Sequence, residues 1–249
     1  IAANGSATVA EELTFKNVTV GTAAVDKTDT TPAVAASNGS VTVNTNSALY
    51  ADTVTLNTTG SVFTNNGYTE LGTVTFAKVS AGSPSTTADS DKGFVNNGEA
   101  VIEKLVFVNS SDVFKNNANS TVEIGSVVVP LNSDGGEVKL TGVTNEGTVY
   151  TDLKNVAAKD EDGKWGATAF GTALEGSSIL DESITSDVTL DEYKEIIGVL
   201  GDKVALHSAN ITTTDGGAIS LTDATSVGSG DFGHAEVAGT YGTGTPNFE

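Results

Sequence analysis

Two histidines, His207 and His234, and no cysteine are all that this chain of 249 residues offers as nitrogen or sulfur metal ligands. A zinc site draws its three or four protein ligands mostly from those side chains, so zinc chemistry has no basis here. His207 sits in the run Val-Ala-Leu-His-Ser and reads as an exposed strand residue. Oxygen donors are more plentiful. Asp89-Ser90-Asp91, Asn132-Ser133-Asp134 and Asp160-Glu161-Asp162 each place two such side chains at i and i+2, a spacing from which both reach one hard cation. Asp160 and Asp162 are the best candidate metal ligands, and calcium is the cation they suit. No loop completes the D-x-[DN]-x-[DN]-G-x5-E pattern, and Asp and Asn are also ordinary turn formers. Covalent catalysis is no better served: no G-x-S-x-G elbow occurs, no G-x-G-x-x-G directly follows a strand (the run at 228–233 lies in the Gly/Thr-rich tail), and there is no Walker loop. We assign no catalytic or cofactor-binding residue and expect a protein that is not an enzyme.

The pattern that does recur is structural. ATVAEELTF (7–15), ALYADTVTL (48–56), YTELGTVTF (68–76), EAVIEKLVF (99–107) and STVEIGSVVV (120–129) share an apolar ending with i, i+2 spacing. Its middle position is Leu13, Val54, Val74, Leu105 and Val127, and its last is Phe15, Leu56, Phe76, Phe107 and Val129. Alternate side chains share one face of a strand, so these segments read as strands. VYTDLKNV (149–156) reads as a degraded sixth copy with Lys154 in the middle. Before three copies stands a second element: Phe63-Thr64-Asn65-Asn66-Gly67, Phe94-Val95-Asn96-Asn97-Gly98 and Phe114-Lys115-Asn116-Asn117-Ala118, with Val143-Thr144-Asn145-Glu146-Gly147 as a weaker fourth. A fixed corner recurring at irregular intervals means constant strands joined by loops of variable length. That organisation suggests a solenoid of stacked coils, all-β and parallel. Equivalent Phe side chains would then stack inside and equivalent Asn amides would form a ladder, with Gly taking a φ > 0 position that ends the turn. The alternative is an antiparallel β-sandwich or jelly roll that donates strands between subunits, because Asn-Gly at 4–5, 38–39, 66–67 and 97–98 is also a hairpin signal.

The Phe-x-Asn-Asn corners, with Asp215-Gly216-Gly217-Ala218-Ile219, resemble the FxxN and GGA[I/L] repeats of right-handed parallel β-helix (pectin-lyase-like) bacterial surface proteins. These include autotransporter adhesin passengers. The likeness covers about residues 1–157 and implies a surface scaffold. It also implies an alternative function, a polysaccharide-active β-helix enzyme or a carbohydrate-binding module, since the wider β-helix group contains polysaccharide-active enzymes. Its lyases generally use a basic residue, often Arg, beside carboxylate-bound calcium, and this chain has no Arg. Its hydrolases use clustered carboxylates, whereas Glu11, Asp52, Glu70, Glu103 and Glu123 are spread along the repeats.

Beyond residue 157 the text changes, so we divide the chain into a repetitive region (1–157) and a divergent one (158–249). LDEYKEIIGVL (190–200) spaces Leu190, Tyr193, Ile197 and Leu200 as one helix face, with Asp191 and Glu192 in the first turn and Gly201 past the end. A cover for the open edge of a terminal coil is the expected role. The tail from Gly228 is Gly/Thr-rich, and HAEVAGTYG (234–242) within it reads as a strand available for donation.

Charge narrows the partners. Thirty-two acidic residues against 12 basic ones give −20, and every basic residue is Lys. Nucleic acid and anionic membrane surfaces are therefore poor partners. No apolar run approaches the ~20 residues of a bilayer span. The absence of Cys and Met removes easily oxidised sulfur, which suits an extracellular or cell-surface location. Seven N-x-[ST] sequons begin at Asn4, Asn17, Asn38, Asn57, Asn109, Asn119 and Asn210. The expected function is a structural or adhesive surface protein: a filament or surface-layer subunit, or an adhesin passenger. Its expected partners are further copies of itself, through β-edges, and host or cell-surface glycans.

Overall fold

Alternating apolar residues make one-sided strands, and a one-sided strand must be stacked on others to bury its apolar face. The computed structural model describes residues 2–3, 5–22, 37–57, 60–76, 92–174, 177–180, 188–201, 204–206, 208–212 and 218–222. They fall into two compact units, Ile1–Gly147 and Thr148–Glu249, so the segment 148–157 groups with the second.

The first unit is a parallel β-solenoid. Each coil carries a short strand and a long one. The short strands are β2 (Ser6–Val9), β4 (Ser40–Val43), β6 (Val62–Asn65), β8 (Gly93–Asn96), β10 (Phe114–Asn116) and β12 (Val143–Asn145). They form one six-stranded sheet in the order β12-β10-β8-β6-β4-β2. The long strands are β3 (Glu12–Val20), β5 (Ala48–Leu56), β7 (Tyr68–Phe76), β9 (Glu99–Val106) and β11 (Thr121–Val128). They pair in sequence order, with β1 (Ala2–Ala3) outside β3. Every pairing between these strands is parallel. The sandwich reading fails for this reason. The Asn-Gly pairs at 66–67 and 97–98 turn the chain from one face of a coil to the next, and do not reverse it as a hairpin would.

Register puts like on like. Phe63 pairs with Phe94 and Phe94 with Phe114. Their rings stack with centroids 5.2 and 5.7 Å apart and planes within 7° of parallel. Phe76 and Phe107 form a second stack at 5.3 Å, and Phe107 meets Phe114 edge-on at 6.5 Å, joining the two sheets in one core. Within the long strands, alternation breaks once per coil. Gly72 and Thr73 both face outward between buried Leu71 and Val74. The ladder skips the same position in each neighbour, at Lys16, Asp52, Glu103 and Gly125. Each long strand is therefore two flat segments meeting at a bend, and each coil has three short faces.

Two readings of the repeat are corrected. In the first coil the register pairs Leu13 with Leu49 and Phe15 with Ala51, while Val18 meets Val54 and Val20 meets Leu56. The buried ending of that copy is thus Val18-Thr19-Val20, five residues later than the Leu-Thr-Phe that mimics it. In the sixth copy, Thr148–Thr151 is a strand (β13), but Leu153–Val156 is one helical turn (α1). Asn155 N donates to Asp152 O at 3.0 Å, and the turn buries Leu153, Asn155 and Val156 while Lys154 stays outside.

In the second unit, β13 pairs in parallel with β16 (Ser177–Leu180), and β16 with β18 (Val204–Leu206). Between them lie an antiparallel hairpin, β14 (Ala157–Lys159) and β15 (Trp165–Ala167), and a short helix, α2 (Ala169–Ala173). Thr168 caps that helix, its Oγ1 accepting from Gly171 N at 3.0 Å. Two further strands, β17 (Val188–Thr189) and β19 (Ser208–Thr212), pair in parallel, and β20 (Ala218–Thr222) joins β19 antiparallel. The helix expected at 190–200 forms as α3 (Leu190–Leu200). It buries Ile196, Ile197 and Leu200 and packs against the hairpin and the β17-β19 strands. Lys159 lies over the Trp165 ring at 5.2 Å and pairs with Glu192 of the helix.

Candidate functional site

Three surface features bear on function, and all derive from the coil geometry: the corners, an outward cleft, and the open end of the stack.

At the corners, the inner asparagines form the expected ladder. Asn65 Nδ2 donates to Asn96 Oδ1, Asn96 to Asn116 and Asn116 to Asn145, each at 2.8 Å, across sequence separations of 31, 20 and 29. All four residues are buried. Their orientation is fixed on both sides. Gly67 N and Gly98 N donate to Oδ1 of Asn65 and Asn96, while the amide NH2 groups also donate to the carbonyls of Glu99 and Thr121. An outer ladder runs the opposite way: Asn117 Nδ2 donates to Asn97 Oδ1, and Asn97 Nδ2 to Asn66 Oδ1 at 2.8 Å.

The corner glycines do not take the φ > 0 expected of them. Their requirement is space. A Cβ on Gly98 would lie 2.1 Å from Gly67 O, and one on Gly67 would lie 2.3 Å from Ser47 O. Positive φ falls instead on Asn46 (64°) and Asn119 (65°), in the second and fifth coils. There the corner is longer, and Ser47 N and Ser120 N close it onto Asn44 O and Asn117 O. Ala118 therefore does not replace the corner glycine.

The face that follows the corner carries two outward columns. Register aligns Glu12, Ala48, Tyr68 and Glu99 in one, and Thr14, Tyr50, Glu70 and Val101 in the other. Ala48 leaves a gap in its column. The result is a solvent-open cleft of about 460 Å³ floored by Ala48, walled by Glu12 and Tyr68, and edged by Asn46, Asn66 and Glu99. Tyr50 and Tyr68 meet at 6.0 Å between centroids. The Tyr68 phenol is held above its ordinary pKa, first by partial burial and then by Glu70, Glu99 and Tyr50, with a hydrogen bond to Glu70 in addition. Sequence reasoning missed this cleft. Its signal was a small residue, Ala48, in an outward column that otherwise carries Glu and Tyr.

The end of the stack is the third feature. Among the described residues, β2 pairs only with β4, and the far side of β3 is covered only at Thr19 and Val20, by β1. Leu13 and Phe15 face inward at this end and are half-buried, whereas their neighbours Leu49 and Ala51 are fully buried.

The predicted metal ligands lie elsewhere. Asp160 makes the β14-β15 turn: its Oδ1 accepts from Asp162 N at 3.0 Å and Lys164 N at 2.9 Å. Asn132 does the same for Asp134 N and Gly136 N. Among the described residues no three His, Cys, Asp or Glu side chains gather as a metal-binding group. Glu11, Asp52, Glu70, Glu103 and Glu123 all face solvent. Asp89, Asp91, His207, His234, Asn4, residues 215–217 and the segment 234–242 lie outside the described residues. No helix of the described residues is long and apolar enough to cross a membrane. No protein-family model matches the chain, and no curated protein or solved structure resembles it at a significant level.

Proposed function

We propose that this chain is an extracellular structural or adhesive surface protein, a filament or surface-layer subunit or an adhesin passenger, that self-associates through its β-edges. The observation that carries the reading is the open end of the solenoid. Among the described residues β2 pairs only with β4, and the far side of β3 is covered only at Thr19 and Val20, beside inward-facing Leu13 and Phe15 that are half-buried. Such an edge pairs readily with any extended chain, and a second copy offers strands of the same twist and spacing. The composition fits service outside the cell: no oxidisable sulfur, a charge of −20 that keeps free subunits apart, and stability drawn from stacked strands alone.

Electron microscopy and sedimentation at neutral pH, with calcium and with chelator, test the proposal. Filaments or sheets, or a mass that rises with concentration, are the expected result. Dispersed monomers under both conditions sink it. A calcium-dependent difference would support Asp160 and Asp162 as ligands, to be checked with Asp162→Asn.

A further inference from the structure

The outer asparagine ladder has a direction, and it ends at the cleft. Asn117 donates to Asn97 and Asn97 to Asn66, so each amide polarises the next. Asn66 accepts at Oδ1, yet its NH2 group donates to no described residue, and Asn66 lines the cleft. The amide of Asn46, at the corner of the neighbouring coil, has no hydrogen-bond partner among the described residues either. The same cleft holds an aromatic wall, Tyr68, and two carboxylates, Glu12 and Glu99, neither ion-paired among the described residues.

We propose that this cleft is a binding site for an uncharged saccharide unit. A sugar seated in the gap over Ala48 uses its parts together: its C–H face lies on the Tyr68 ring, its hydroxyl oxygens accept from the Asn66 and Asn46 amides, and its hydroxyl hydrogens go to Glu12, while Glu99 lies beyond Tyr68 in the column and keeps anions away. A simple cation would use the carboxylates and leave the amide donors idle. A uronate would meet Glu12 and Glu99 charge against charge within a chain of net charge −20. The site binds and does not cleave. Glu12 and Glu99 stand three coils apart, roughly 14 Å at about 4.8 Å per coil. Glycoside hydrolysis needs its carboxyl pair at roughly 5–10 Å. Glu12 belongs to the end strand β3, but the cleft opens on the outward face of the coils and the titration reads sugar binding and not mass, so the inference and the self-association proposal can fail separately.

The experiment is titration of the full chain with cellotetraose, maltotetraose and chitotetraose, followed by calorimetry and by tyrosine fluorescence. Tetragalacturonate and spermine serve as charged comparisons. At least one neutral tetrasaccharide is expected to bind, with affinity falling about tenfold or more in Tyr68→Ala, the loss of one good stacking contact. Asn66→Asp keeps the acceptor for Asn97 and removes the donor, so it too is expected to weaken binding several-fold. Both positions are at the surface, and unchanged circular dichroism will show the variants folded. Three results overturn the proposal: no neutral sugar binds, Tyr68→Ala binds as the wild type does, or spermine or tetragalacturonate binds as tightly as the best neutral sugar.

Discussion

Single side chains decide how firmly neighbouring coils hold one another. Phe94 is fully buried with a ring stacked on each side, so Phe94→Ala removes both contacts and leaves a cavity that stiff strands cannot close. A loss of about 3–5 kcal/mol in chemical denaturation is expected. Thr69 presents the opposite case. Its hydroxyl is buried among core residues with no hydrogen-bond partner, and Thr69→Val replaces it with a methyl group of similar shape. That variant is expected to be more stable by about 1 kcal/mol or more, read from the same denaturation curves. Asp112 is subtler. Its carboxylate accepts from Val108 N at 2.6 Å, Asn109 N at 2.7 Å and Asn109 Nδ2 at 3.0 Å, but burial outweighs these bonds and raises its pKa. A raised folded-state pKa favours the protonated native form. The contribution is full below the unfolded pKa, near 3.8, and is lost as pH rises through the folded value. Asp112→Asn cannot ionise and keeps an acceptor for the two backbone donors. Relative to wild type, it is expected to gain stability as pH rises from 3 to 7.

At the scale of the element, the corner is the unit that repeats, and its glycine is chosen for closeness between coils. Gly98→Ala forces a methyl group against Gly67 O, a backbone atom that cannot swing away. The variant is expected to lose about 1–3 kcal/mol or more in a thermal or denaturant melt. Gly198, inside the helix Leu190–Leu200, gives the contrasting outcome. Nothing lies within 4 Å of an added Cβ there, so Gly198→Ala is expected to stabilise by up to about 1 kcal/mol. The two long corners work differently again. Asn46 and Asn119 hold positive φ, and Ser120 Oγ donates to Asn116 Oδ1 at 2.7 Å, tying the longer turn to the inner ladder.

For the molecule as a whole, the edge that β2 and β3 present among the described residues is where the proposed assembly can be broken without damaging the core. Thr14 and Lys16 are exposed on β3 there, so the double substitution Thr14→Glu, Lys16→Glu adds repelling charge at the edge and leaves inward-facing Leu13 and Phe15 in place. Dispersed particles in micrographs, with a denaturation midpoint close to that of wild type, are the expected outcome. Filaments that persist in this variant would move the assembly contact to another surface.

Local chemistry determined a large part of this protein in advance. Alternation in Thr-Val-Thr-Phe and its relatives, the Phe-x-Asn-Asn corners and their intervals are enough to read stacked parallel coils, the Phe column and the Asn ladder, because in a solenoid equivalent residues must meet. The 3.6-residue spacing at 190–200 likewise specified its helix. Other features required the tertiary structure. Whether Leu13-Phe15 or Val18-Val20 ends the first copy depends on register, which is set by the next strand and not by the segment itself. Gly67 and Gly98 looked like turn glycines, and only the neighbouring coil's carbonyls reveal that room is what they provide. The cleft draws Glu12, Ala48, Tyr68 and Glu99 from four successive coils. Residues so far apart in the chain become neighbours only when loops of unequal length bring equivalent positions into one column, which is why stacking, and no local pattern, places the candidate site.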